Sequence, residues 1–278
     1  MQKFKKSFSP VDLILILLFL CGAAVIAYPS LSDWWNSFHQ SRAAAGYEKK
    51  IEGMDQDQIR SLWDKASSYN RRLSRSEDRF HPSKKEERAY RQLLDVSGTG
   101  IMASLIIPDI HVNLPVYHGT GEEVLQKAIG HLEGTSLPVG GSGTHSVLSG
   151  HRGLPSARLF SDIDQLKKGD RFMVSTLGRM LTYEVDQVKV VLPDQMEDLG
   201  IEEGEDYMTL LTCTPYGINT HRLLVRGKRV EGEDKDKTRR EGIAKTGDDS
   251  RILFFVLLAF ISLILIWRFI NSASSDRL

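Results

Sequence analysis

The sequence has only two cysteines in 278 residues and no net charge, its 36 lysines and arginines being matched by 36 aspartates and glutamates. Two thiols exclude a disulfide-stapled scaffold and any zinc site built from several thiolates. Zero net charge argues against nucleic acid as a partner, because displacing counterions from a phosphate backbone takes a basic footprint. Internal repeats are absent, and the composition is neither collagen-like nor low-complexity. None of the eight histidines pairs with another at the helix spacing of a metal site, so neither a metal nor a cofactor is expected.

What the chain does have is a long apolar run near each end. Leu13 to Tyr28 carries no charge and follows Lys3, Lys5 and Lys6; Ile252 to Trp267 is its counterpart, followed by Arg268, Phe269 and Ile270. Each run is slightly short of the ~20 residues that span a bilayer. Val11 extends the first, and Phe269 and Ile270, past a snorkelling Arg268, extend the second. The first run also reads as a cleavable signal peptide, because Val25-Ile26-Ala27 resembles a cleavage site. A buried core helix is a poor reading of the second, which is apolar on every face and follows a charged linker. The N-terminal lysines favour a cytoplasmic start. Two spans then bring the C-terminus back to the cytoplasm and leave residues 29–250 outside, a multi-pass plasma-membrane arrangement. Cys21 lies inside the first run, so Cys213 is the sole thiol of the outer domain, unpaired in an oxidising compartment.

Residues 33–94 read as helical, with Ile59, Leu62, Trp63, Ala66, Tyr69 and Leu73 forming one apolar stripe and Asp55 as N-cap. Arg71 to Arg88 is charged, contains Pro82 and reads as a connector; Glu86 to Leu94 suits one more short helix. From Ala103 the period shortens. Strands are expected at Ala103–Ile107, Leu114–Tyr117, Ser146–Ser149, Arg171–Ser175, Met180–Val185, Val188–Leu192, Tyr207–Cys213 and Arg222–Val230, at spacings of an antiparallel barrel or sandwich. Brief helices are expected near Glu122–Ala128 and Ala157–Leu166. Residues 231–250 are polar and charged throughout, a solvated linker.

The segment from Tyr207 to Cys213 is apolar on both faces, a buried strand that ends at a cysteine. Thr214 to Thr220 is turn-forming, and a strand resumes at His221. Pairing Cys213 with Arg222 puts Leu211 opposite Leu224 and sets a guanidinium beside the thiol, where a cation can stabilise a thiolate or a developing oxyanion. An acid/base group is still needed. His151 is the best candidate, because it follows a strand and opens the Gly150-His151-Arg152-Gly153 turn. His145 and His221 are its closest competitors.

Leu210-Leu211-Thr212-Cys213 with Arg222 nine residues on resembles the TLxTC…R signature of sortases, the membrane-bound cysteine transpeptidases of Gram-positive bacteria. The stretch from Thr209 to Gly227 is similar to the pilin-polymerising class C enzymes. Leu148-Ser149-Gly150-His151 resembles the family's histidine segment, and the segment from Gly130 to Ser136 a class C stretch. The likeness covers about residues 75–230. It implies a mainly β fold, the eight-stranded sortase barrel with short helices, and these boundaries: a tail and span at 1–28, a helical and lid region at 29–100, the catalytic barrel at 101–230, the linker at 231–250, and a span and tail at 251–278. It also implies Cys213 as nucleophile, His151 as general acid/base, Arg222 as oxyanion and substrate stabiliser, and Thr212 as a supporting residue. The family's lid carries an Asp-Pro-aromatic motif; Asp78-Arg79-Phe80 is its counterpart without the proline, with Asp78 expected on Arg222 and Phe80 over Cys213. The implied reaction cleaves an LPXTG-like sorting signal between Thr and Gly and joins the acyl group to a lysine amine of the next pilin. The alternatives are a housekeeping sortase that anchors proteins to the cell wall and a non-catalytic scaffold that docks pilins.

Overall fold

The computed structural model describes residues 10–230. The linker at 231–250 and the second apolar run lie outside the described residues. Helix α1, Pro10–Glu52, passes without a break through the expected boundary at residue 28. Pro29 sits inside it, removing one backbone donor without ending the helix. Among the described residues this is the one helix long and apolar enough to cross a membrane, and its most apolar stretch packs against nothing. Farther along, Ala44, Tyr47 and Ile51 turn one face into the core. The Tyr47 hydroxyl donates to the Met102 carbonyl at 2.7 Å and accepts from the Leu177 amide at 3.1 Å, which fixes α1 to the barrel.

Helix α2, Gln56–Leu73, buries Ile59, Ala66, Asn70 and Leu73, close to the expected stripe. Asp55 occupies its N-cap position with extended backbone, but its side chain makes no capping bond. The cap that forms is elsewhere: Ser83 and Glu86 close a reciprocal capping box at the start of α3, Lys84–Gln92. A short α4, Glu122–Leu125, stands where a brief helix was expected. The other brief helix, Ala157–Leu166, reduces to a 3-10 turn at Ile163–Gln165.

Eight strands follow: β1 Ile101–Ile107, β2 Val112–His118, β3 Ile129–His131, β4 Thr144–Ser149, β5 Arg171–Thr176, β6 Arg179–Val191, β7 Asp206–Thr214 and β8 His221–Val230. They close a barrel in the order β1-β2-β3-β4-β7-β8-β6-β5. The expected strands at 180–185 and 188–192 are one strand, β6, bent by a bulge between Val185 and Gln187. The three-residue β3 was not expected. The barrel is also not wholly antiparallel, since β2 pairs with β3 and β4 with β7 in parallel. The chain returns to β7 only after crossing β5 and β6, and so arrives in the same direction as β4.

Strand alternation sorts side chains to the two faces. Leu148, Met208, Leu210, Leu223 and Val225 belong to the interior core, with Phe172 stacked on Tyr183 at 5.7 Å. The residues between them in sequence, Val147, Leu211 and Leu224, form a second apolar cluster on the outer face with Val191, Leu199 and Leu132. Burying each such side chain contributes roughly 1.5–3 kcal/mol. Cys213 shares the outer face with Leu211, at the rim of this apolar floor.

Candidate active site

The β7–β8 register is the expected one: Cys213 pairs with Arg222 and Leu211 with Leu224. Cys213 is half-buried at the end of its strand. One guanidinium nitrogen of Arg222 donates to the carbonyls of Asn219 at 3.2 Å and His221 at 3.1 Å, which ties the head to its own turn. Among the described residues no carboxylate forms an ion pair with Arg222. The thiol therefore has a positive charge one strand away, available to an anion.

His151 arrives from β4. The parallel register sets Ser149 opposite Leu211, and the Gly150 amide extends it by donating to the Leu211 carbonyl at 3.1 Å. Thr212, pointing inward and 1 % exposed, donates its hydroxyl to the Gly150 carbonyl at 2.7 Å. One more step along both strands brings His151 level with Cys213. Gly150 has to be glycine: a Cβ there would lie 2.8 Å from Ile129 and 2.9 Å from the Phe160 ring. The His151 carbonyl is held by the Phe160 amide at 3.1 Å. Its Nε2 is shielded from water and has no hydrogen-bond partner. Among the described residues the carboxylate in ion-pair range of it is Glu122, at 3.8 Å. Leaving a buried polar nitrogen unpaired costs about 1–3 kcal/mol, so such an atom is open to a further partner.

Arg152 was not singled out in the sequence, where an arginine beside a histidine in a turn carries no signal. It bridges the histidine turn to β7, donating to the Thr214 hydroxyl at 3.2 Å, pairing with Asp164 and lying 5.9 Å from the Tyr216 ring centre. Tyr216 in turn packs on Gly153.

Of the competing histidines, His145 has both ring nitrogens engaged, whereas His221 stands partly exposed beside Arg222. His145 is 1 % exposed, with Nδ1 on the Gly200 carbonyl at 2.7 Å and Nε2 on the Thr209 hydroxyl at 2.8 Å. Burial pushes its pKa down to about 4. His131 is likewise driven to about 4 by burial, its nitrogens held by the Tyr90 hydroxyl and the Ser136 carbonyl. His221 faces its neighbour Thr220 at 2.9 Å. Among the described residues no group of three or more His, Cys, Asp or Glu is arranged to hold a metal.

A sortase-domain family model matches residues 105–230. The crystal structure of sortase C1 from Streptococcus agalactiae is 51% identical and superposes with a TM-score of 0.68, covering 69% of this chain and 100% of that one. The chain belongs to the sortase family. The sortase C structure from Streptococcus pneumoniae is 43% identical to it with a TM-score of 0.62, covering 69% of this chain and 97% of that one. Sortase D of Bacillus subtilis is 31% identical over 129 residues, covering 45% of this chain. The match spans 62% of that relative's own length.

In this sortase the lid segment takes a course different from the expected one. Asp78 is not on Arg222: its carboxylate meets His81, three residues on, at 2.6 Å, and both side chains are exposed. A partner within the same turn is always at hand, whereas Arg222 is tied to its own turn. Phe80 packs against Gly134, after β3, with the Arg79 guanidinium 4.6 Å from its ring centre. Arg79, at the position of the family's proline, donates to the Leu199 carbonyl at 2.9 Å. Leu199 belongs to the apolar floor, so the tie runs through the middle residue of the motif and not through Asp78.

Proposed function

We propose that this sortase is a membrane-anchored class C transpeptidase that polymerises pilins. The Cys213 thiolate attacks the Thr carbonyl of an LPXTG-like sorting signal, and the negative charge on the carbonyl oxygen is met by the Arg222 guanidinium. As the Thr–Gly bond breaks, His151 gives its proton to the leaving glycine amine, and a thioester remains on Cys213. A lysine amine of the next pilin then attacks the thioester and loses its proton to His151. The carbon–sulfur bond breaks, the Cys213 thiolate and the protonated His151 are restored, and an isopeptide bond joins the subunits. The apolar floor offers a seat for the apolar letters of the signal, and the Arg79-tied segment covers it until substrate displaces that segment.

One observation carries this reading: the inward Thr212 hydroxyl binds the Gly150 carbonyl, coupling the strand that ends at the cysteine to the turn that holds the histidine. The pilin assignment draws support from the similar structures, one of which is the sortase C1 of a pilus island. Incubation with a pilin bearing an LPXTG-type signal is expected to give high-mass ladders that vanish in Cys213→Ala. Transfer only to a cell-wall precursor would favour the housekeeping reading, and pilin binding without any acyl-enzyme would favour a scaffold. For topology, the apolar part of α1 up to Tyr28 and the second apolar run are the spans, and residues 29–250 lie outside the cell. Protease added to intact protoplasts should shave the barrel and spare tags at both ends.

A further inference from the structure

Helix α1 has two distinct faces beyond its apolar run. Toward the barrel it presents Asp33, Asn36, Gln40, Ala44, Tyr47 and Ile51, spaced by three or four residues. The Arg158 amide donates to the Asp33 carboxylate at 2.8 Å, the Asn36 side chain to the Ser156 carbonyl at 2.7 Å, and that of Gln40 to the Lys127 carbonyl at 2.7 Å. Ser156 and Arg158 lie just past the His151 turn, and Lys127 follows α4. The barrel is thus bolted to the same rigid rod that forms the span, with no hinge loop between them.

The opposite face is aromatic and unpartnered by the barrel. At about 100° per residue, Tyr28, Leu31, Trp34, Trp35, Phe38 and Arg42 gather on the side away from Asp33. Trp35 is 59% and Phe38 44% exposed, Trp34 stacks on Phe38 at 6.3 Å, and Arg42 lies 4.4 Å from the Phe38 ring centre. A contiguous exposed apolar face marks a contact surface. The face continues directly from the apolar run, and Trp and Tyr capped by a cation are the residues that settle at the membrane–water interface.

We propose that the Tyr28–Arg42 face of α1 is a lipid-interface surface on which the barrel rides. A helix normal to the bilayer would lift Phe38 about 15 Å beyond Tyr28, at ~1.5 Å per residue. The headgroup layer is only about 5–7 Å deep on each side. The rod therefore slants toward its aromatic side, and Pro29, where one backbone bond is missing, lies at the level where the slant begins. The barrel sits on the upper face, one helix diameter (about 10 Å) above the headgroups, with the 156–158 segment toward the membrane. The thiol then works at a fixed height and orientation and not on a flexible tether.

This rests on the proposal that α1 is membrane-inserted, and the test separates the two. The full chain carrying Trp63→Phe and Trp267→Phe keeps Trp34 and Trp35 as its only tryptophans. It is reconstituted in phosphatidylcholine–phosphatidylglycerol vesicles, with folding checked by circular dichroism. Co-flotation with the vesicles reports insertion. Lipids brominated near the glycerol or deep in the chain report depth, and aqueous iodide reports exposure to water. Emission should be blue-shifted, quenched more by shallow than by deep bromine, and resistant to iodide. Floating protein whose emission is quenched by iodide and not by bromine overturns the proposal. So does floating protein quenched by neither, which would mean that a second copy or the second apolar run covers this face. Failure to float removes the insertion reading and this one with it.

Discussion

The β4–β7 parallel pair has two ends built in opposite ways. At one end Thr144, Asp206 and His145 are bonded to their neighbours, although the Ser146 hydroxyl is not. Thr144 donates to the Gly141 carbonyl at 2.6 Å, Asp206 accepts from Tyr183 at 3.0 Å and from the Gly141 amide at 2.8 Å, and His145 is bonded at both ring nitrogens. At the other end, six residues along, His151 keeps a shielded nitrogen without a hydrogen bond and Arg152 an unpaired Nε, and among the described residues no carboxylate pairs with Arg222. The same two strands thus serve as foundation and as workplace. A completed network spends its polar groups on the fold, whereas an incomplete one leaves them free for a substrate.

Mutation can break this contrast, and the largest effect is expected at the thiol. Cys213→Ala should abolish both acyl-enzyme and product while leaving the melting temperature unchanged, as followed by mass spectrometry and calorimetry. His151→Ala should slow turnover by ~10²–10⁴-fold in a folded protein. His145→Ala should do the reverse, losing about 2–4 kcal/mol of stability in denaturant titration with turnover per folded molecule nearly intact. Equal catalytic damage at both histidines would show that the two ends are not functionally distinct. Arg222→Lys should cost about 10²–10³-fold in acylation, because a point charge does not replace a planar fork of donors.

Acid should act first on the two buried histidines. His145 and His131 have folded pKa values near 4 against 6.5 for the free side chain. Their folded pKa values are depressed, so their contribution is complete above pH 6.5 and is lost as pH falls toward 4. Each accounts for about 3 kcal/mol across that window. Denaturation midpoints measured from pH 7 to 4 should fall steeply, and less so in His145→Gln. The smallest effect belongs to the lid segment. Arg79→Ala should raise the rate of Cys213 alkylation by a few-fold, and Asp78→Ala should change it less, because an exposed pair such as Asp78–His81 is worth only ~0–1 kcal/mol. A larger effect from Asp78 would restore the pairing with Arg222.

Much of this was legible in the sequence for identifiable reasons. The Cys213–Arg222 register could be read because both strands are apolar and this alignment sets Leu211 against Leu224. The motif around Cys213 and the histidine turn carried the family. Strand β3 was not legible, since Ile129-Gly130-His131 is too short to show a period. The parallel direction of β4 and β7 depends on how the chain crosses the barrel, which local pattern does not encode. The end of the apolar run at Tyr28 suggested a boundary where the helix in fact continues, and Pro29 inside it does not end it. The resemblance marked Thr212 as a supporting residue, but its bond to Gly150 required the neighbouring strand. The Asp78 pairing failed because the sequence does not show that His81 is the nearer partner.

The bond between Thr212 and Gly150 joins positions 62 apart in the chain. Closing so long a loop is entropically expensive, and contacts of that range form late in folding. A hairpin is enough to bring Cys213 and Arg222 together, but His151 joins them only when the barrel shuts. On the roles proposed above, Cys213 would stand without its acid/base partner until the barrel shuts, and activity would wait on that closure.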